Sequence, residues 1–488
     1  PYGRRVTTSS SEAQAFGNQG LQLQFAFAPR DAARSFREAQ HRDPSCAMCY
    51  WGEAYAWGPY LNGEMRAEDA PRAYRAIQRA RELAEGNATA VERALIDAMA
   101  IRYEAKHDAA RREKLDSVYA DTMAAVYARF PDDLDAATLY AEALMLLEPR
   151  RGTWDVNKPA VRKIHQALEH VLARDLKHPG ACHLFVHATE STVRPEKAEA
   201  CADHLGSAIP GASHINHMPS HTYNRVGRWG DAVRANLQAW HSDQKAAVGQ
   251  GFAIYPAHNL HMLLFAASFD GQGAVATQAG KDYAKQSTGG QALHVLALLR
   301  FGRFDEIVTI RSAPEQAVLR GFWAFGRGYA HLRGGAADSA RAYLAVVDSL
   351  AGVESAAFRG HAARRLLGAV GGILRGEIAR DAKRLDDAIA ALERAVELED
   401  ELIYDEPEPL NFSARHWLGA ALLEAGRHTD AERVYRRELE DHPNNGWSLF
   451  GLAQALEAQG KQDDAARVRA SLEQAWARSD TWINASRF

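Results

Sequence analysis

The sequence lacks two features that would place it in large functional classes. It has no excess of positive charge, since 58 lysine and arginine residues face 62 aspartate and glutamate residues, for a formal net charge of -4. Without a basic field, binding to nucleic acid or to an anionic membrane is not expected. It also has no apolar run near the roughly 18 residues that cross a bilayer. The best candidate, Leu260 to Phe269, is interrupted by His261 and Ser268, so no membrane span is predicted.

Cysteine is scarce as well. Four residues form two sequence pairs, Cys46 with Cys49 and Cys182 with Cys201. An even count favours an oxidising compartment, so we expect a periplasmic or secreted protein, with a cytoplasmic location as the alternative. The chain begins at Pro1 rather than at methionine, which a processed precursor or a trimmed chain would equally explain.

Little in the sequence predicts β-structure. No segment alternates apolar and polar residues over the length of a strand, and glycine or proline recurs between helical stretches. A helical hairpin repeat of about 34 residues places glycine, alanine, an aromatic residue and proline at fixed offsets. These offsets occur near both ends of the chain, at Gly20, Ala32, Phe36 and Pro44 and at Gly419, Gly426, Ala431, Tyr435 and Pro443. We therefore predict an all-α fold, a tetratricopeptide-like α-α superhelix (solenoid) of about 11 or 12 helical hairpins.

One solenoid is predicted to span residues 1–488, with contacts that are local along the chain. Within it, residues 179–286 form histidine-rich central hairpins, and residues 409–476 form the C-terminal repeat hairpins. Stacked hairpins create an extended groove that suits peptides. The fold alone does not decide the function, however, so the residues that line the groove need separate attention.

Histidines in the central hairpins follow a regular pattern. The first helices of three consecutive hairpins are predicted to begin near Pro179, Ser213 and Ala257. In that register, residues three or four positions apart share one stripe of each helix, and neighbouring first helices stand about 10 Å apart. Six imidazoles on these stripes can therefore converge on one point of the groove. They belong to His183, His187, His217, His221, His258 and His261.

This pattern predicts a metal site on the concave face. Imidazoles four residues apart can chelate one ion, and neutral nitrogen donors with few carboxylates favour copper first and zinc second, with iron less expected. Glu190 and His214 belong to the same stripe, and together with Asn259 they are predicted to support the ligands or to replace one of them. A network of imidazoles and water without an ion is the alternative. No catalytic residue is predicted.

Pro219 lies between His217 and His221, at a position where proline would break a helix. We expect the segment from Met218 to Pro219 either to begin the regular helix or to kink it, which would change the direction of the His217 side chain.

The two cysteine pairs lead to separate predictions. Cys182 and Cys201 are placed on the two helices of one hairpin, at similar distances from the turn near Val193. Because a disulfide requires Cα atoms within about 7 Å, this geometry predicts a bridge. Cys46 and Cys49 have C-x-x-C spacing but no preceding strand, so we predict buried or locally bonded thiols, with a second metal or redox site as the alternative.

Eight segments of the chain have a recognisable pattern. They are Ser35 to Ala39, Cys46 to Met48, Tyr50 to Gly52, His217 to His221 (His-Met-Pro-Ser-His), Arg225 to Trp229, His258 to His261, Arg300 to Arg303 and Tyr404 to Pro407. In these segments the chain resembles a group of bacterial tetratricopeptide-repeat proteins that have a histidine-rich middle. The resemblance implies the repeat fold and supports the histidine site, but most of the group has no assigned reaction and so implies no substrate. The chain departs from the group's usual pattern at Cys49 and Cys182.

Two functional hypotheses follow. The first is a repeat protein with a copper or zinc site on its concave face, with metal-dependent oxidoreductase activity as its furthest extension. The alternative is a scaffold without catalytic activity, whose groove binds a peptide, another protein or further copies of the same chain.

Overall fold

A computed structural model of the chain describes residues 2–149 and 154–488. Pro1 and residues 150–153 lie outside the described residues, and so does the expectation about the processed terminus at Pro1.

Regular structure in residues 2–149 and 154–488 is almost entirely helical, so the all-α prediction is confirmed. Two short strands, β1 (Ala357–Phe358) and β2 (His361–Ala362), pair antiparallel in a small hairpin, and two 3-10 turns lie at Ala109–Arg111 and Pro195–Ala198. In chain order the helices are α1 (Ser11–Phe25), α2 (Pro29–Arg42), α3 (Ala47–Ala56), α4 (Ala70–Asn87), α5 (Ala90–Ile101), α6 (Arg112–Arg129), α7 (Leu134–Met145), α8 (Pro159–Leu172), α9 (Pro179–Glu190), α10 (Glu199–Leu205), α11 (Ser213–His217), α12 (Pro219–Arg225), α13 (Trp229–Ala246), α14 (Pro256–Phe269), α15 (Gly273–Gln286), α16 (Gly290–Arg300), α17 (Phe304–Thr309), α18 (Ala317–Arg333), α19 (Ala337–Ala351), α20 (Ala363–Asp381), α21 (Leu385–Asp400), α22 (Arg415–Glu424), α23 (His428–Asp441), α24 (Gly446–Ala458) and α25 (Gln462–Ala475).

Contacts between Cα atoms group the chain into two compact units. The first unit comprises Pro1–Thr222 and His241–Ile254, and the second unit comprises Tyr223–Trp240 and Tyr255–Phe488. That the chain forms one solenoid over residues 1–488, with residues 179–286 and 409–476 as its histidine-rich and C-terminal parts, stays a prediction.

Helices of the first unit pack mainly against their neighbours in sequence, as in a stack of antiparallel hairpins. The Phe36 ring of α2 lies between Gly20 of α1 and Gly52 of α3. A Cβ atom added to Gly20 or to Gly52 would lie 2.9 or 2.2 Å from the Phe36 ring, so only glycine allows α1 and α3 to approach α2 this closely. The predicted role of Phe36 as an aromatic residue between hairpins is confirmed.

Several contacts in the first unit are not local along the chain, among them the ion pair between Arg4 and Asp133. Helix α9 packs against α8 and α10, its neighbours in sequence, but also against α1 and α7. The prediction of purely local contacts was wrong here, and it was wrong in the second unit as well, where the Trp447 Nε1–H donates to the Ser268 carbonyl at 3.0 Å across 179 positions of the chain. The reason is that the first unit closes on itself, so that the end of α1 meets the helix that carries His183 and His187.

Helices of the second unit also pack in sequence order, with close contacts from α18 through α21 and from α22 through α25. The glycine and aromatic arrangement recurs there. The Tyr435 ring of α23 lies where a Cβ atom on Gly419 or on Gly451 would be 2.3 or 2.1 Å away. Among the residues that the structure describes, no helix is both long and apolar enough to span a membrane.

Candidate metal site

Helix α9 carries two of the predicted ligands into the interior of the first unit. Pro179 occupies its first turn, where a missing N–H has little cost, and the His178 side chain caps the helix by accepting a hydrogen bond from the Ala181 N–H at 3.1 Å. His183 and His187 are four residues apart, so they lie on one face, with ring centroids 5.0 Å apart. Their exposed fractions are 1% and 3%.

Helix α11 brings a third histidine to the same place. Its start is fixed by Ser213, whose Oγ accepts a hydrogen bond from the Ile254 N–H at 2.8 Å and donates one to the Ile254 carbonyl at 3.2 Å. The helix ends at His217, and Pro219 opens α12. Of the two expectations for Pro219, the structure shows a helix that restarts there. His214, in the turn before this break, is buried.

His183, His187 and His214 each offer a ring nitrogen, and these three atoms all lie within 4.8 Å of one another. The ring of His214 is 4.9 Å from that of His183 and 6.3 Å from that of His187, measured between centroids. The sequence predicted His183 and His187 as ligands and His214 only as a supporting residue. In the first unit these three buried histidines form a group that could hold a metal ion.

Phe27, which the sequence did not point to, covers this group. Its ring centroid is 4.2 Å from His183, 5.9 Å from His187 and 5.5 Å from His214. Phe27 has a φ of 57°, in the left-handed region that bulky residues rarely adopt. The Phe27 ring therefore contacts all three imidazoles.

Hydrogen bonds at Nδ1 determine which nitrogens of the group can bind an ion. His183 Nδ1 lies 2.6 Å from the Phe25 carbonyl oxygen, and His187 Nδ1 lies 2.7 Å from Glu190 Oε1. Carbonyl and carboxylate oxygens accept, so Nδ1 carries the proton in both rings and Nε2 keeps its lone pair. Within the described residues, the buried His183 Nε2 has no hydrogen-bond partner. This is the state in which imidazole binds a metal.

Burial also favours neutral imidazole. It lowers the pKa of His183 well below its usual value of 6.5, and the neighbouring His187 lowers it further. His183 therefore keeps a lone pair for a ligand throughout the physiological pH range.

Glu190 connects this group to two further predicted ligands. Its Oε2 accepts a hydrogen bond from His221 Nδ1, and His221 Nε2 lies 2.7 Å from His217 Nε2. Because the His221 Nε2 must then accept, His217 donates, and its Nδ1 is left to accept from the Ser220 hydroxyl at 3.4 Å. His217 and His221 thus form a neutral hydrogen-bonded chain that ends on the carboxylate that also holds His187.

The remaining predicted residues belong to the second unit, on α14. Asn259 and His261 are buried, and His258 is half-buried. The His261 ring stacks on Tyr283 with centroids 5.5 Å apart. Burial and the positive charge of Arg359 lower the pKa of His261 to about 3. The convergence of all six histidines on one point stays a prediction.

Both cysteine pairs are bonded in the first unit. Cys182 at the start of α9 is joined to Cys201 of α10, with Cα atoms 5.0 Å apart, and Cys46 is joined to Cys49 at the start of α3, with Cα atoms 5.4 Å apart. The first bridge ties α9 to its hairpin partner one residue before His183.

Comparison with known proteins supports the repeat fold. Residues 373–446 and 418–478 match the sequence profile of the tetratricopeptide repeat. None of the curated proteins matches the chain. Among solved structures, the chain is similar to the APC/C hetero-tetramer Cut9-Hcn1, at 11% identity over 97% of this chain and 80% of that chain, with a TM-score of 0.38. It is also similar to the human IFIT1 dimer with m7Gppp-AAAA, at 11% identity over 96% and 91% of the two chains, with a TM-score of 0.31.

The matched repeats lie in the second unit, and repeats of this kind are typical of protein-interaction scaffolds. The resemblance to bacterial proteins with a histidine-rich middle, and the expectation that nucleic acid is not a partner, stay predictions.

Proposed function

We propose that the first unit binds one copper or zinc ion through His183, His187 and His214. The proposal rests on one observation: three buried ring nitrogens within 4.8 Å of one another. Around a tetrahedral ion with metal–nitrogen bonds of about 2.0–2.1 Å, ligand nitrogens are about 3.4 Å apart. Binding of an ion would therefore bring the three nitrogens closer together than the 4.8 Å within which they lie here.

The hydrogen bonds at Nδ1 support the proposal. A histidine ligand commonly donates its second ring N–H to a carbonyl or a carboxylate, which orients the ring and makes the donor nitrogen more basic. The Phe25 carbonyl does this for His183, and Glu190 does it for His187. Glu190 is therefore a positioning residue rather than a ligand.

The donor set favours copper first and zinc second. Three neutral imidazoles leave the full positive charge on the ion, and both metals accept nitrogen ligands readily. Iron sites in helical proteins use more carboxylates than this group offers. Metal-dependent oxidation stays a prediction from the sequence, and our proposal is the binding of the ion. A periplasmic or secreted location, the compartment in which two disulfides persist, is part of the same proposal.

Elemental analysis of the protein purified without a His-tag, after exposure to copper and zinc, tests the proposal. We expect about one ion per chain. His183→Ala and His214→Ala should each lose most of it, because two imidazoles bind far more weakly than three. His204→Ala is the control, since His204 is an exposed histidine of the same unit. Equal metal content in all three variants would overturn the proposal.

A protein-interaction scaffold is the second candidate, and the repeat match favours it independently of the histidines. A stack of helical hairpins offers an extended surface to a peptide, a protein or a second copy of the chain. Sedimentation of the wild-type protein over a wide concentration range tests self-association: a mass that rises with concentration supports it, and a constant monomer mass rejects that form of the proposal.

A further inference from the structure

The chain following α25 lies along the second unit without forming a helix or a strand. In this 478–488 segment the two ends contact the unit, whereas the middle is open to solvent, and Trp482 is 93% exposed. Ser486 is its one buried residue, with 1% of its surface exposed. A segment held at two places by few buried atoms resembles a bound peptide more than part of a core.

The first attachment is electrostatic. Arg478 forms a two-pronged ion pair with Asp270, at 2.8 and 3.1 Å. Asp480 accepts hydrogen bonds from the N–H groups of Gly273 at 2.6 Å and Ala274 at 2.9 Å, at the start of α15. A carboxylate at this position also interacts favourably with the helix dipole.

The second attachment consists of hydrogen bonds to the side chain and the backbone of Ser486. Its hydroxyl donates to the His416 carbonyl at 2.6 Å and is hydrogen-bonded to the Tyr435 hydroxyl at 2.8 Å. The guanidinium of Arg300 reaches the Ser486 carbonyl at 3.4 Å. Arg300 is itself buried, with its charge 3.6 Å from the centre of the Trp447 ring.

The next two residues add charge and an aromatic contact. Arg487 lies 3.4 Å from Glu377 and 3.8 Å from Glu424, and its side chain is 10% exposed. Glu377 is fully buried and is paired with Arg380 at 2.9 and 3.0 Å, and Arg487 adds a second positive charge to this carboxylate. The Phe488 ring packs edge-on against Trp447, with centroids 5.7 Å apart.

We infer that this surface is a binding site for extended peptides that present a small hydroxyl residue, an arginine and an aromatic residue in succession. The 478–488 segment is its occupant within the chain, and a partner polypeptide of the same chemistry displaces it. The site is formed by Arg300, Glu377, His416, Tyr435 and Trp447. Hydrogen bonds to a peptide backbone with pockets for alternate side chains are the usual basis of peptide recognition.

This inference rests on the proposed scaffold role and not on metal binding, and it specifies the partner as a peptide with a hydroxyl residue, an arginine and an aromatic residue in succession. A tethered occupant has an effective concentration of the order of millimolar, so it competes strongly with a free peptide. Weakening the occupant should therefore expose the site.

The test uses the full chain and a fluorescent peptide amide with the sequence of residues 478–488. The double variant Arg487→Ala/Phe488→Ala should bind this peptide at least about ten times more tightly than the wild type does. Adding Glu377→Gln should weaken binding at least about tenfold, whereas adding Glu393→Gln, at an exposed position of α21, should not change it. A peptide in which alanine replaces the arginine equivalent to Arg487 should not bind, and this control does not depend on the folding of a variant. Equal affinity for the peptides with and without this arginine would overturn the inference.

Hydrogen exchange on the wild-type protein gives a second measurement. Millimolar peptide should speed the exchange of the 478–488 amides, because the segment leaves its site. Unchanged exchange would overturn the inference. Dimers of the wild-type protein that dissociate when the peptide is added would also overturn the inference, because the 478–488 segment in the site would then come from a second copy of the chain. Failure of the peptide to bind leaves the sedimentation test of self-association unaffected, so the two proposals fail separately.

Discussion

Glu190→Gln is the most informative single substitution at the candidate metal site, because it keeps the size of the side chain and removes one acceptor. The carboxylate accepts from His187 Nδ1 at 2.7 Å through one oxygen and from His221 Nδ1 through the other. A glutamine amide has one oxygen, and its nitrogen can only donate. One of the two imidazoles must therefore lose its partner or change its tautomer.

The size of the effect follows from this geometry. A buried hydrogen bond to a charged group contributes about 1.5–3 kcal/mol, and losing a hydrogen-bond partner of a histidine ligand typically lowers metal affinity about 10- to 100-fold. That loss corresponds to about 1.4–2.7 kcal/mol, so the two estimates agree. We therefore expect Glu190→Gln to raise the dissociation constant for copper or zinc by about 10- to 100-fold.

Competition with a chromophoric chelator measures the dissociation constant directly. Glu196→Gln is the matched control, because Glu196 lies in the turn after α9 and pairs at the surface with Arg194. Its metal affinity should match that of the wild type. A Glu190→Gln protein that is folded, as judged by its circular dichroism and melting temperature, yet binds metal within twofold of the wild type would refute the reasoning.

Three other substitutions test the scaffold around the two sites. Gly180→Ala should lower the free energy of unfolding by about 1–3 kcal/mol in urea titration, since its Cβ atom would lie 2.7 Å from the Phe25 ring; an unchanged midpoint would count against it. Cys182→Ser removes the bridge to Cys201 and should cost roughly 3 kcal/mol, whereas equal stability in oxidised and reduced wild-type protein would reject a contribution from this bridge. Burial raises the pKa of Glu399 to about 8, above its ordinary 4.5, so the folded state holds this proton more tightly than the unfolded state. The contribution of Glu399 to stability should therefore fall by a few kcal/mol as the pH rises from 4.5 to 8, and the difference between the wild type and Glu399→Gln in denaturation curves measures it.

The fold could be predicted because close helix crossings leave a trace in the sequence. Phe36 packs where α1 and α3 carry glycine, and Tyr435 does the same in the second unit. The predicted helix starts at Pro179 and Ser213 match the starts of α9 and α11. The start predicted at Ala257 differs by one residue, since α14 begins at Pro256.

The candidate site could be predicted only in part. Helical spacing placed His183, His187 and Glu190 on one stripe, and these residues do share one face of α9. The contribution of Phe25 and Phe27 could not be inferred, because they meet α9 through a contact between residues 158 positions apart, which local periodicity does not encode. The sequence placed His214 on the same stripe but only as a supporting residue, whereas the structure groups its ring nitrogen with those of His183 and His187.

X-ray absorption spectroscopy of the copper- or zinc-loaded protein tests the central claim most directly, because it counts the ligands of the ion. We expect three imidazole nitrogens at about 2.0–2.1 Å in the wild type and one fewer in His214→Ala. A spectrum dominated by oxygen or sulfur ligands, or one that is identical in the two proteins, would contradict a metal site formed by His183, His187 and His214.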